Sequence, residues 1–147
     1  MSANKKPKKS YRPRYVCPNP LAGLLGGLSQ ISKAAKIRIA IINHSAVYAF
    51  ARGKATRSDW DHICALIGFI EIMLGLYFTE QHQEIIEEAQ IAHADAGKRF
   101  LETDVFSYTE NELSVINQII DFNDQIMEQS LIVEVENANK ILNASFD

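Results

Sequence analysis

Two sets of residues in this sequence have the types and spacing to do chemistry, and both work through charge. The first is Lys5, Lys6, Lys8, Lys9, Arg12 and Arg14, interleaved with Tyr11 and Tyr15. Ammonium and guanidinium groups neutralise phosphate, while tyrosine rings and arginine planes stack on bases, so this run reads as a nucleic-acid contact. A solubilising tail that folds against the acidic part of its own molecule is the plainer alternative. The second set is Glu80, Glu84, Glu87, Glu88, Asp95 and Glu102. At about 100° per residue all six fall within an arc of about 100°, with Ile85, Ile86, Ala89, Ala92, Ala96 and Phe100 opposite. Ile91 and Lys98 alone interrupt the row, which extends about 33 Å at about 1.5 Å per residue. A rigid line of carboxylates can imitate a nucleic-acid backbone before a basic groove, and a merely solvated helix face is again the plainer alternative.

Other chemically capable residues do not assemble into a motif. His82 and His93 lie eleven residues apart and share the apolar side of their helix, away from the acids that would have completed a metal site. Both read as hydrogen-bonded core or interface histidines. Glu84-x-x-Glu87 would bridge a metal only with partners from other helices, and no such pattern is visible. Glu71 sits inside an apolar run and reads as a structural acid at a solvent gap or paired with a base. Cys17 and Cys64 form no ligand spacing and no disulfide framework. Gly23, Gly26 and Gly27 lack the Gly-Lys-Ser or Gly-Lys-Thr of a phosphate loop, and no nucleophile–histidine–acid signature occurs. The expectation is a protein that is not an enzyme, with no catalytic residues, no metal and no cofactor.

The whole chain repeats the same electrostatic division. Residues 1–58 hold twelve Lys or Arg and no acid, whereas residues 59–147 hold three Lys or Arg and eighteen acids. The two parts carry +12 and −15, which together give the net charge of −3. That polarity implies a polyanionic or acidic partner for the first part and a cationic one for the second. A length of 147 residues with 47% hydrophobic content suits one domain with a single core. No apolar segment follows the initial lysines, so no secretory signal is read, and a reducing cytosol is expected. The run from Ile63 to Phe78 is apolar but contains Glu71 and is shorter than the roughly 20 residues that span a bilayer, so it reads as a buried helix, with no membrane role.

The elements that must position these residues are helices. Pro7, Pro13, Pro18 and Pro20 favour extended backbone, which makes residues 1–20 a basic extended arm. Residues 21–147 read as one all-α domain, a bundle of about four helices. Helix A opens at Ser29 or Ser32 and runs to about Ala51, with Gly53 as its stop; Lys33, Lys36, Asn43 and His44 share one narrow sector that reads as a solvated stripe or an extension of the basic arm. Helix B opens at a Ser58–Asp61 capping box and is apolar nearly all round, which makes it the centre of the fold. Helix C, from about Thr79 to Leu101, either continues B or follows a kink. Helix D opens at a Thr109–Glu112 capping box and reads to about Leu142, with a break near Ser130. Its doubled apolar stripe indicates either a central place in the core or a partner chain, as in a homodimer.

The run Lys8-Lys9-Ser10-Tyr11-Arg12-Pro13-Arg14-Tyr15-Val16, followed by Asn19-Pro20-Leu21, resembles the openings of small bacteriophage and prophage proteins. In these a Lys-rich start leads into Tyr-x-Pro-Arg and Asn-Pro-Leu. About fourteen residues carry the resemblance, and no site residue transfers with it. It implies an accessory protein made during infection, acting in the cytoplasm of a bacterial host. The expected function is binding to a host protein or ribonucleoprotein complex that handles nucleic acid, inhibiting or regulating it in the manner of an anti-defence protein. A dimeric DNA- or RNA-binding regulator and a virion or membrane-associated structural protein are the alternatives.

Overall fold

Helix boundaries in this chain are set by side chains that replace missing backbone partners. In the computed structural model, which describes residues 29–78 and 82–146, there are five helices: α1 (Lys33–Ala51), α2 (Arg57–Tyr77), α3 (Gln83–Thr103), α4 (Glu110–Gln129) and α5 (Ile132–Ser145). Ser32 caps α1 by accepting from the Ala35 N–H at 3.2 Å. At its other end Gly53 takes φ +64°, and Lys54 N–H reaches back to Ala49 C=O at 2.9 Å, a closing turn that a side chain at position 53 would strain. α2 opens two residues earlier than the Ser58–Asp61 expectation. Thr56 Oγ1 accepts from Asp59 N–H, and the Asp59 carboxylate accepts from Thr56 N–H at 2.8 Å. Asp61 instead pairs with Arg57 one turn back at 3.0 Å, a good use of an exposed i,i+4 position. The Thr109–Glu112 box opens α4 as its spacing predicts.

α2 is apolar on nearly every side and takes the central position. Ile63, Ile70 and Met73 are fully buried, and α1, α3, α4 and α5 all pack against it. It is also the one helix among the described residues long and apolar enough to cross a membrane, and here four neighbours pack against it. α3 does not continue α2. Phe78 is extended, at φ −128° and ψ 162°, and α3 returns antiparallel along α2, with Gln90 bonded to Glu71 and His93 to Trp60. α4 packs against both α1 and α3, whose backbones stay apart and meet through the edge-on contact of Phe50 with the His93 ring at 6.1 Å.

Ser130 divides the long final amphipathic segment, raising the helix count from about four to five. Its buried hydroxyl donates to Ile126 C=O at 2.5 Å while its backbone turns extended, and the next N–H, Leu131, finds the Glu134 carboxylate at 2.7 Å. α5 then folds back along α2. Both apolar stripes of this segment are consumed inside the chain: Ile116, Ile119, Ile120, Ile126, Met127, Ala138 and Leu142 are buried, and Val133 alone of the two stripes is exposed. The stripe's width therefore reflects several intramolecular neighbours rather than a free face.

The α1–α2 and α3–α4 connections meet at one end, where Ala55 and Phe106 pair in an isolated antiparallel bridge. Phe50 stacks on Tyr108 at 4.3 Å, Phe100 on Phe106 at 3.8 Å, and Trp60 on the His93 ring at 3.6 Å. Gly97 lets α3 approach the Trp60 indole so closely that a β-carbon would overlap it. Gly75, by contrast, has nothing within 4 Å of its would-be β-carbon. Gly97→Ala is therefore expected to lower the unfolding free energy by about 1–3 kcal/mol despite its better helix propensity, and Gly75→Ala to raise it by about 0.5–1 kcal/mol, both read by urea denaturation.

Candidate functional site

The acidic row is a property of α3. Glu84, Glu87, Glu88, Asp95 and Glu102 are all exposed on its outer side, while Ile86, Ala89, Ala92, His93 and Ala96 are buried on the inner side. From Glu84 to Glu102 the row covers about 27 Å. Asp95 has Lys98 at 3.8 Å; Glu84, Glu87, Glu88 and Glu102 have no hydrogen-bond or ion-pair partner among the described residues. Ile91, which interrupts the sequence pattern, stands 62% exposed in the middle of these carboxylates. Glu80 lies outside the described residues, as does the whole basic run of Lys5, Lys6, Lys8, Lys9, Tyr11, Arg12 and Arg14. Among the described residues no base pairs with Glu71, which is exposed and accepts from Gln90 Nε2 at 3.0 Å.

On α1 the polar and apolar faces are reversed relative to a solvated stripe. Lys36 bonds to Glu128 at 2.8 Å, His44 to Asp124 at 3.1 Å, and Asn43 is buried, so the polar sector forms a seam against α4 and the interior. The outward side is apolar instead: Ile37, Ile41, Ile42 and Tyr48 are 49–61% exposed. Arg38 and Arg52 flank it, with Arg52 bonded to the Tyr48 hydroxyl and lying over its ring at 5.6 Å. Asp121 brings a further carboxylate near His44 and Asp124, their ligand atoms all within 4.8 Å; this is the group among the described residues best arranged to meet a cation. The α1–α4 contact already satisfies its histidine.

The sequence pattern missed a polar cluster in the interior. Asn43 of α1, His62 of α2 and Asn123 of α4 lie beside an open cleft of about 220 Å³ that α5 borders with Val135, Asn139 and Leu142. His62 Nε2 is 2.8 Å from Asn43 Oδ1. Burial lowers the His62 pKa, with Asp59 opposing, which keeps the ring neutral and lets its N–H donate to that oxygen. Asn43 Nδ2 and both amide atoms of Asn123 remain without a partner, although the two residues are only 2% and 1% exposed. A readable signal did exist. Asn123 falls in register with Ile119, Ile120, Ile126 and Met127, where an amide has no reason to sit unless something meets it.

His93 is a satisfied core histidine. A carbonyl oxygen only accepts, so Nε2–H donates to Trp60 C=O at 3.1 Å and Nδ1 accepts from the Tyr108 hydroxyl at 2.7 Å. Burial pushes its pKa down to about 4, against the opposing influence of the Trp60 carbonyl and Asp61. Burial, with Glu112 and Cys64, likewise raises the Tyr108 phenol, which keeps its proton and remains a donor. His82 begins α3 with its ring 4.6 Å from Phe122. The Cys64 thiol is raised by partial burial and by Asp61, opposite to the direction that activates a nucleophile.

Because the folded state holds His93 neutral, its contribution to stability is complete above the unfolded value near 6.5 and disappears as pH falls towards 4. A loss of about 3 kcal/mol from this group is expected over that window, and His93→Gln should flatten that part of the stability–pH curve measured by urea unfolding. Set beside known proteins, the sequence matches no family model and no curated protein, and the fold matches no solved structure.

Proposed function

We propose that this chain is a non-enzymatic accessory protein of phage type that binds and inhibits or regulates a host complex that handles nucleic acid. In this mechanism the outer side of α3 enters a basic groove on the target, and the basic arm touches nucleic acid or an acidic neighbour. The observation that supports this most directly is the row of exposed carboxylates from Glu84 to Glu102, of which Glu84, Glu87, Glu88 and Glu102 have no ion-pair partner among the described residues. Four charges on one rigid helix repel each other, and a cationic surface relieves that repulsion on contact. Ile91 adds an apolar anchor at the centre of the charged face, the arrangement in which a small number of residues carries most of an interface's energy.

A second reading, a dimeric DNA- or RNA-binding regulator, draws support from α1. Its outward Ile37, Ile41, Ile42 and Tyr48 with flanking Arg38 and Arg52 offer an apolar contact beside positive charge.

Retention of nuclease-treated bacterial host complexes on the immobilised protein, with mass-spectrometric identification, separates these readings. Under the first, a nucleic-acid-handling complex is retained and is released by added double-stranded DNA. Glu84→Lys, Glu88→Lys and Asp95→Lys together should weaken retention by about ten-fold or more, and deletion of residues 1–16 should reduce its salt dependence. Tight DNA binding by the isolated protein in a gel shift, together with retention indifferent to the three reversals, would instead favour the regulator.

A further inference from the structure

The outward side of α1 carries a chemical specification separate from that of α3. With Ile41 at its centre and about 100° per residue, Ile37 and Tyr48 fall within about 40°, Arg52 and Arg38 lie about 20° and 60° to one side, and Lys33 about 80° to the other. Ile42 continues the apolar surface beyond Arg38. Single exposed apolar residues need no cause, but four gathered on one helix face mark a contact surface. Every charge on α1 is positive, and the first acid in the whole sequence is Asp59. Lys33, Arg38 and Lys54 are exposed with no ion-pair partner among the described residues, and the Arg52 guanidinium is held by the Tyr48 hydroxyl. Of the acids that α4 brings to this side, Lys36 takes Glu128 and His44 takes Asp124, which leaves Asp121. Residues 1–28 lead into α1 and add Lys5, Lys6, Lys8, Lys9, Arg12 and Arg14 with no acid.

We propose that this side of α1 seats the protein on an anionic lipid surface, with the helix lying in the plane of the bilayer interface. The isoleucines and the Tyr48 ring enter the acyl boundary. Lys33, Arg38 and Arg52 extend their stems beside them and leave their heads among the lipid phosphates, and residues 1–28 bring further positive charge to the same contact. Charge complementarity decides among the occupants. A second copy of the chain sets cations against cations across the apolar patch. A nucleic acid meets the cations but offers phosphate oxygens rather than hydrocarbon to the aliphatic centre, where Tyr48 is the one ring available to stack. A bilayer with anionic headgroups supplies both, hydrocarbon beneath the isoleucines and phosphate around them. The contact is peripheral: Ile37 to Tyr48 covers about 16 Å, and α2, the helix apolar enough to span, stays packed in the bundle.

The test is co-sedimentation of the full-length protein with vesicles of phosphatidylcholine alone and with vesicles of equal parts phosphatidylcholine and phosphatidylglycerol. Partition onto the anionic vesicles should exceed that onto the neutral ones by about ten-fold or more. Ile37→Gln with Ile41→Gln should weaken it by about ten-fold or more, and Lys33→Glu with Arg38→Glu by at least as much. All four positions are exposed, so both variants should keep the wild-type urea midpoint, which separates loss of contact from loss of fold. The proposal is overturned if the protein stays in solution with about 1 mM anionic lipid, if both vesicle types retain it equally, or if the isoleucine pair makes no difference, which would leave only a general attraction of cations to the surface. It is equally overturned if the isoleucine pair converts a dimer to a monomer in the ultracentrifuge, or abolishes duplex DNA binding in a gel shift. The comparison of neutral with anionic vesicles uses the unmodified protein and stands even if a variant does not fold.

Discussion

Everything in this architecture follows from the need to cover the broad apolar side of α2. A helix with a single narrow apolar stripe is satisfied by one or two neighbours, but the buried Ile63, Leu66, Ile67, Phe69, Ile70, Met73 and Leu74 spread over an arc of about 160°. Four helices pack against it, and the chain supplies them by bending back after each one. Their outer sides face different directions. The partition of charge along the sequence thereby becomes a partition in space: the outer side of α3 is acidic, and the outer side of α1 is apolar with flanking arginines.

Polar groups inside the bundle follow two different logics. At the aromatic end no described side-chain polar atom is both buried and unmatched: His93 spends both ring nitrogens on Trp60 and Tyr108, and Arg99 binds both the Glu112 carboxylate and Ser107 C=O, so that Glu112 also anchors the start of α4. Such a network favours one arrangement of the loops over all others. Further along, Asn43 and Asn123 are left incomplete beside an apolar cleft.

Much of this was legible from sequence. The helix starts at Ser32 and Thr109, the stop at Gly53 and the break at Ser130 are local events, decided within one turn of chain, and local chemistry announces them. The start of α2 was misread by two residues because Thr56-Arg57-Ser58-Asp59 and Ser58-Asp59-Trp60-Asp61 both satisfy the capping pattern, and the choice between them depends on Arg57 reaching Asp61. The exposed side of α3 was readable because its helix is strongly two-faced. α1 was not, since apolar residues surround it almost completely and its orientation is set by Glu128 and Asp124, some 80 to 92 residues away. The amide cluster was legible only in part: Asn123 interrupts an apolar register, but its meeting with Asn43 and His62 joins one residue from each of three helices.

The turn at Ser130 also governs how many molecules the core requires. Run straight, residues 110–145 would form a rod of about 54 Å, far longer than any helix beside it, with its distal third projecting into water. An apolar stripe so placed finds cover by crossing to a second molecule, which would return its own terminal segment in exchange. The extended backbone at Ser130 thus lets the final segment close over the chain's own central helix, with its hydroxyl bonded to Ile126 C=O at the bend.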